Sequence, residues 1–127
     1  MKLGIIGMSA GNGHPFSWSA IINGYDKLEM EKCGFPSIPE YLASQKWPED
    51  KLQGSQVTAV WTQNIELSKR IAAASKIDKV VEDRKEMIGN VDAVLLARDD
   101  AENHLAHGRE FLESGLPIFI DKPLALN

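Results

Sequence analysis

The chain has 127 residues, 43% of them hydrophobic, which suits one domain with a modest apolar core and leaves no room for a second. Its 14 basic and 18 acidic residues give a net charge of −4 and are spread along the chain, which argues against a nucleic-acid partner. The single cysteine, Cys33, excludes an internal disulfide. With no membrane-spanning segment and no leader-like segment before the first strand, we expect a cytoplasmic protein that does not bind membranes.

The N-terminal segment predicts a strand, a phosphate-binding turn and a helix. The short apolar run after Lys2 is typical of a buried central strand of a parallel sheet. Pro15 favours a helix that begins near His14, with free amides and a positive dipole end directed at the turn. Such a turn is suited to a dinucleotide pyrophosphate. The candidate residues of this turn are Gly7, Ser9, Gly11, Asn12, Gly13 and His14.

The glycine spacing of this turn departs from the usual G-x-G-x-x-G pattern. Counted from Gly7, the second and third glycine positions hold Ser9 and Asn12. Counted from Gly11, the turn is longer than usual. An ordinary strand-to-helix loop is therefore the alternative interpretation of this motif.

The rest of the chain alternates between predicted strands and helices. Strands are predicted at 57–62, 79–81, 91–97 and 116–120, and helices at 16–23, after Asn64 and after Asp100. This alternation predicts an α/β fold, a Rossmann-like doubly wound parallel sheet in three layers that forms a single domain over residues 1–127.

Residues 25–56 are longer than a helix-to-strand connection requires and are interpreted as an insertion, either functional or merely tolerated. A short helix is expected at 40–45, with Tyr41, Leu42 and Trp47 packing it against the body of the domain.

Side-chain periodicity predicts which faces of the later helices are buried. Leu67, Ile71 and Ala74 form one buried face, while Lys69 and Arg70 face water. In the last helix, the sheet-facing stripe is expected to consist of Leu105, Gly108, Phe111 and Leu112. Asp83 and Glu86 have the spacing of a capping box, and His107 is expected to be exposed.

Polar residues gather at the predicted carboxyl ends of the strands, where ligands of parallel sheets bind, near the switch point between the first and fourth strands. The candidates beyond the glycine turn are Thr62, Gln63, Asn64, Ala97, Arg98, His104, Asp121, Lys122 and Pro123. No metal site is predicted.

The second half of the chain resembles the glucose-fructose oxidoreductase / inositol dehydrogenase / MocA (Gfo/Idh/MocA) family. The resemblance lies in Asp92-Ala-Val-Leu-Leu-Ala97, in His104 at a helix start, in Phe111-Leu-Glu-Ser-Gly115 and in Asp121-Lys-Pro-Leu-Ala125. It implies the N-terminal NAD- or NADP-binding domain of an oxidoreductase that acts on a CH–OH group of a sugar, polyol or nucleotide sugar. It also implies that Lys122 is catalytic, since an ammonium near the substrate oxygen would stabilise charge developing there.

The sequence departs from this family in several places. Thr62 and Gln63 stand where an acidic residue would bind the adenosine ribose, so NAD and NADP both remain open. Arg98-Asp-Asp100 replaces a Thr-Pro turn. Its two adjacent carboxylates form either a substrate site or a helix cap, and Asp100 is expected to cap the helix that follows.

The family's second domain, which carries the substrate cavity, has no counterpart here. We therefore expect a chain that binds a dinucleotide and a carbohydrate-type substrate but is inactive alone, and a homo-oligomer is compatible with this picture. The alternatives are a non-catalytic nucleotide or nucleotide-sugar binding module and a regulatory subunit.

Overall fold

Five parallel strands form the sheet of the computed structural model, which describes residues 1–125. The strands are β1 (Lys2–Ile6), β2 (Gln56–Trp61), β3 (Lys79–Val80), β4 (Ala93–Leu96) and β5 (Ile118–Ile120). Their order across the sheet is β3-β2-β1-β4-β5. The chain therefore runs from the central strand β1 through β2 to the edge strand β3, returns to β4 on the other side of β1, and ends at the opposite edge with β5. This confirms the predicted doubly wound sheet; residues 126 and 127 of the predicted domain lie outside the described residues.

Helices cover both faces of this sheet. They are α1 (His14–Asn23), α2 (Lys27–Glu31), α3 (Ser37–Ala43), α4 (Ile65–Ser75) and α5 (His104–Ser114), with 3-10 helices at Arg84–Met87 and Ala101–Asn103. Adjacent residues of β1 point to opposite faces: Ile5 belongs to the cluster around Phe16, and Ile6 to the cluster around Phe111. The predicted three-layer arrangement is confirmed. No helix among residues 1–125 has the length and apolar character that crossing a bilayer requires.

Several local predictions are confirmed by hydrogen bonds at helix starts. The Asn64 side chain accepts from the amides of Glu66 and Leu67 and so caps α4. Asp83 and Glu86 form the predicted capping box. In α4, Ile71 and Ala74 are fully buried and Leu67 is partly buried. Lys69 and Arg70 are exposed, as expected.

The predicted inward face of α5 is wrong in two positions. Leu105 and Leu112 are 58% and 54% exposed, and the buried residues of the helix are His104, Gly108 and Phe111. These three follow i, i+4 and i+7 spacing, and at 3.6 residues per turn the two leucines lie roughly 90° around the helix from them. Hydrophobicity alone therefore predicts a stripe that is rotated from the observed one, because it includes the two leucines and leaves out His104.

The environment of His107 also differs from the prediction. Its ring is half-buried against Trp61, with a centroid distance of 5.5 Å, and Nδ1 is in contact with the guanidinium of Arg84. Burial, together with the positive charges of Arg98 and Arg84, lowers the pKa of His107 to about 4.

Residues 25–56 contain two short helices rather than one. The helix α2 was not predicted, and α3 begins at Ser37 rather than at residue 40. Leu42 is fully buried, and the Trp47 indole N–H donates to its carbonyl at 2.7 Å. Tyr41 is 51% exposed, so its predicted packing role is wrong. The helix turns Ile38 and Leu42 towards the domain, and Tyr41 lies beside that face.

Candidate cofactor site

The ends of the central strands meet at one rim of the sheet. The Ala97 N–H donates to the carbonyl of Ile6 at 2.8 Å, and the Asp121 N–H donates to that of Leu96 at 3.0 Å. The residues that follow β4 and β5 therefore lie beside the glycine turn that follows β1. This confirms the predicted meeting of these three segments.

Two glycines of the turn are required by close packing. A Cβ atom on Gly7 would lie 2.3 Å from Cγ of Pro15, and one on Gly13 would lie 2.6 Å from Cδ1 of Ile38. Gly7 thus lets α1 start close to β1. Gly13 lets α3 of the insertion contact the turn, so the insertion forms part of this site.

At Gly11, backbone conformation rather than packing favours glycine. Its φ is +76°, and the space around it is open. Gly11 and Ala10 are exposed, and their backbone amides make no hydrogen bond with any residue of 1–125. Successive free amides in such a turn form a concave donor surface that suits an anion.

The first amides of α1 are not free, contrary to the prediction. The His14 N–H donates to the Asn12 side-chain oxygen at 3.0 Å, and Pro15 has no N–H. The Phe16 N–H donates to the carbonyl of Gly13 at 3.0 Å. The helix end is satisfied internally because Asn12 forms a side-chain turn ahead of it. The donors available to a phosphate are therefore those of the loop.

Gln63, at the end of β2, holds the backbone of Met8. Its Oε1 accepts from the Met8 N–H at 3.0 Å, and its Nε2 donates to the Met8 carbonyl at 2.8 Å. Oε1 also accepts from Arg98 Nη1 at 3.2 Å. Both ends of the Gln63 amide are thus engaged at the position where an acidic ribose partner would stand.

Arg98 and Asp100 form an ion pair after β4. Nε and Nη2 of Arg98 donate to the two carboxylate oxygens of Asp100 at 2.9 and 2.6 Å, and Arg98 is only 8% exposed. The hydrogen bonds from Arg98 outweigh the opposing effect of burial and lower the pKa of Asp100 to about 2.

The expected helix-capping role of Asp100 is therefore wrong, since its side chain makes no cap hydrogen bond. The physical reason is that a buried guanidinium requires a counter-charge. The neighbouring carboxylate, Asp99, accepts from the Ser9 hydroxyl at 2.6 Å.

Asp121 lies at the end of β5 and is 5% exposed. Its Oδ2 lies 2.5 Å from His14 Nδ1 and accepts from Asn12 Nδ2 at 2.9 Å, while Oδ1 accepts from the Lys122 N–H at 2.9 Å. Burial raises the pKa of Asp121, but the hydrogen bonds from Asn12 and His14 outweigh it and hold the pKa below its ordinary value.

Lys122 follows Asp121 at the same rim and is exposed, as is Pro123. Its ammonium makes no hydrogen bond or ion pair with any other described residue. Lys122 is thus a cation at the edge of the site, fixed through its backbone rather than through its side chain.

Thr62 and Asn64 are used within the fold. The Thr62 hydroxyl donates to the carbonyl of Asn64 at 2.7 Å and lies 2.7 Å from Ser68 Oγ, and the residue is 5% exposed. The Asn64 side chain caps α4.

His104 and Ala97 are buried below the rim. His104 is 4% exposed, and its Nε2 and Nδ1 lie 2.5 and 3.1 Å from the carbonyls of Arg98 and Leu124. Ala97 is fully buried. A neutral imidazole carries one N–H, so His104 donates to one of these two carbonyls.

A cleft of about 550 Å³ opens between the glycine turn, α1 and α3. Its lining includes Asn12, His14, Ser17, Trp18, Tyr41 and Asp99. The sequence did not predict the α3 wall as part of the site, whereas it offered Asp99, with Asp100, as a possible substrate site. The only available signal was the unusual length of 25–56. No group of three side chains suited to a metal ion occurs among residues 1–125.

A parallel sheet with a glycine turn at its switch point defines a dinucleotide-binding domain of the Rossmann type. The family described as "Oxidoreductase family, NAD-binding Rossmann fold" (GFO_IDH_MocA) matches residues 1–127. The chain therefore belongs to the Gfo/Idh/MocA oxidoreductase family and corresponds to its NAD-binding domain. No curated protein matches the chain in sequence.

Solved structures with the same fold come from larger enzymes. UDP-N-acetylglucosamine 3-dehydrogenase GnnA from Acidithiobacillus ferrooxidans has a TM-score of 0.62 at 19% identity, and myo-inositol 2-dehydrogenase from Lactobacillus plantarum has 0.63 at 17%. A scyllo-inositol dehydrogenase from Lactobacillus casei, with bound NAD(H) and scyllo-inositol, has 0.58 at 18%. Each match covers 100% of this chain and between 29% and 31% of the other protein.

Proposed function

We propose that this chain binds NAD(H) or NADP(H) at the rim described above and provides the cofactor half of an oxidoreductase. The substrate class is a sugar, polyol or nucleotide sugar, oxidised or reduced at a CH–OH group. The observation that carries the proposal is the pair of free amides at Ala10 and Gly11, beside the strand end that bears Lys122. The similar enzymes of known structure act on inositols and on a UDP-sugar, which supports the substrate class.

The residues present fit a dinucleotide. The amides of Ala10 and Gly11 would bind the pyrophosphate. A smaller cleft of about 210 Å³ beside Gln63, lined by Trp61 and Val81, would take the adenosine end. The nicotinamide, which exchanges a hydride with the substrate carbon, would then lie towards Lys122.

Lys122 is proposed to interact with the substrate oxygen. Its ammonium has no other partner among residues 1–125, so it is available to stabilise negative charge on that oxygen. The backbone bond to Asp121 keeps the residue at the rim.

One observation favours the alternative of a non-catalytic binding module. Gln63 engages both polar atoms of the Met8 backbone, and a ribose at this position must compete with that contact. A nucleotide sugar that uses only the cleft beside α3 would leave it undisturbed.

Titration with NADH and NADPH, followed by nicotinamide fluorescence, tests the proposal. Gly11→Ala should weaken binding by about tenfold or more, because a side chain disfavours the positive φ that gives the free amides of the turn their orientation. Gly54→Ala is the matched control: its φ of +84° is close to the +76° of Gly11 and its surroundings are also open, but its carbonyl accepts from the N-terminal amine, away from the rim. Both variants carry the same backbone penalty, so equal NADH affinities for the two would refute a site at the turn. Affinity for UDP-N-acetylglucosamine without affinity for either dinucleotide would favour the binding module.

A further inference from the structure

The cleft beside Gln63, of about 210 Å³, lies where β2 and β3 end. It carries one charged side chain, the carboxylate of Glu82, and neither a lysine nor an arginine lines it. A ligand group placed here therefore meets a negative charge and no positive one. The lining residues are Trp61, Thr62, Gln63, Ile65, Val81 and Glu82.

Glu82 has a fixed backbone and an unpaired side chain. Its carbonyl accepts from the Trp61 indole N–H at 3.1 Å, and its N–H donates to Oε2 of Glu86 at 3.1 Å. The residue is exposed, and its carboxylate makes no hydrogen bond or ion pair within residues 1–125. The carboxylate is therefore available to a ligand at a position that the fold determines.

Two guanidinium groups lie near this cleft, and each already has a carboxylate partner. Arg84 lies over the Trp61 ring, with Cζ 4.8 Å from the ring centroid, and its Nε donates to Glu110 at 2.7 Å. Arg98 donates to both carboxylate oxygens of Asp100. Since neither arginine lines the cleft and both are paired, they do not offset the negative charge there.

The end of β2 offers no charge to a ribose. Both polar atoms of the Gln63 side chain bond to the backbone of Met8, and the Thr62 hydroxyl donates to the carbonyl of Asn64. The next strand in the sheet is β3, and Glu82 follows it. Discrimination at the ribose 2′ position must therefore come from the end of β3.

We propose that Glu82 makes this domain select NAD(H) over NADP(H). The inference rests on the proposed function, which puts the adenosine end of the cofactor in the cleft beside Gln63. A free 2′-hydroxyl can donate a hydrogen bond to the Glu82 carboxylate. The 2′-phosphate of NADP(H) is negatively charged, so the same carboxylate repels it. Glu82 thus supplies, from a different strand, the acidic group that the end of β2 lacks.

The first test compares the NADH and NADPH affinities of the full chain by nicotinamide fluorescence. Wild type should bind NADH at least about tenfold more tightly than NADPH. Glu82→Gln, which keeps the size of the side chain, should lower this ratio to about threefold or less, and Glu82→Lys should reverse the preference.

Glu102→Gln is the matched control. Glu102 is also an exposed glutamate whose carboxylate has no partner in the described part of the chain, and it follows β4 at the same rim, outside the cleft. Removing its charge should leave the ratio of the two affinities unchanged. An equal effect of Glu102→Gln and Glu82→Gln would overturn the assignment to Glu82.

The second test separates charge from shape and locates the discrimination. Raising NaCl from about 20 to about 500 mM should reduce the preference for NADH, because salt screens the repulsion between exposed charges. In displacement of NADH, 5′-AMP should compete at least about tenfold better than adenosine 2′,5′-bisphosphate, since both probes carry only the adenosine end. A preference that is independent of salt, or equal competition by the two probes, would overturn the role of Glu82.

The same titrations distinguish a failure of this inference from a failure of the proposed function. If wild type binds NADPH as tightly as NADH, or if Glu82→Gln keeps the full preference, the role of Glu82 is refuted and the dinucleotide site stands. If neither dinucleotide binds, the proposed function fails, and the role of Glu82 fails with it.

Discussion

The pair formed by Arg98 and Asp100 gives the sharpest prediction of stability at the rim. Asp100→Asn keeps the size of the side chain and removes its charge, which leaves the guanidinium of Arg98, 8% exposed, without its counter-ion. Since the pKa of Asp100 falls from 3.8 to about 2 on folding, the ionised form contributes roughly 2 kcal/mol to the free energy of unfolding at neutral pH. The side chain is 17% exposed, so solvent screening removes little of this value.

The pH dependence has a defined sign. A carboxyl group whose pKa is depressed on folding stabilises the protein above its unfolded pKa of 3.8, and loses that contribution as pH falls towards the folded value of about 2. The difference between wild type and Asp100→Asn should therefore be about 2 kcal/mol near pH 7 and roughly half of that near pH 3.

Urea denaturation followed by tryptophan fluorescence at several pH values measures this difference. Asp99→Asn is the control, because Asp99 is exposed and bonds only to Ser9 in this region; its effect should stay below about 1 kcal/mol. An Asp100→Asn variant as stable as wild type at neutral pH, or a difference that does not change with pH, would show that the ion pair does not stabilise the fold.

Three further outcomes are expected. Gly7→Ala should reduce the free energy of unfolding by about 1–3 kcal/mol in urea denaturation, because its Cβ would lie 2.3 Å from the rigid ring of Pro15; an unchanged midpoint would refute this packing. His107→Gln should gain stability relative to wild type as pH falls from about 7 to 5, since a histidine whose pKa is lowered to about 4 on folding disfavours the native state below its unfolded pKa of 6.5; a difference independent of pH would contradict the burial of this ring. Gln63→Glu should weaken NADPH binding at least about tenfold relative to NADH, because the carboxylate repels a 2′-phosphate; equal losses would place the ribose elsewhere.

The fold was predictable because local sequence patterns indicate the strands and where they end. Apolar runs ending in glycine or polar residues located the strands, and parallel pairing then brought their ends to one rim. Caps were also predictable, as at Asn64 and Asp83, because a cap depends on residues two or three positions away.

The site itself was less predictable because its contacts are long-range. His14 and Asp121 are separated by 107 positions, and no local pattern identifies them as partners. Asp100 is a residue type that often caps helices, but its carboxylate pairs with the buried guanidinium of Arg98 instead. His104 likewise lies 2.5 and 3.1 Å from the carbonyls of Arg98 and Leu124, and no local pattern indicates these contacts.

The contacts of Asp121 link the glycine turn to the backbone of Lys122. Asn12 belongs to the glycine turn and donates to Asp121, and the other oxygen of that carboxylate accepts from the Lys122 backbone. A ligand that fixes the turn should therefore also fix Asp121. This matters because Asp121 follows β5, an edge strand of only three residues. His14 bonds to the same carboxylate, so its ring and the Lys122 backbone share one support. Removing Asp121 should therefore disturb the His14 ring and the Lys122 backbone at once.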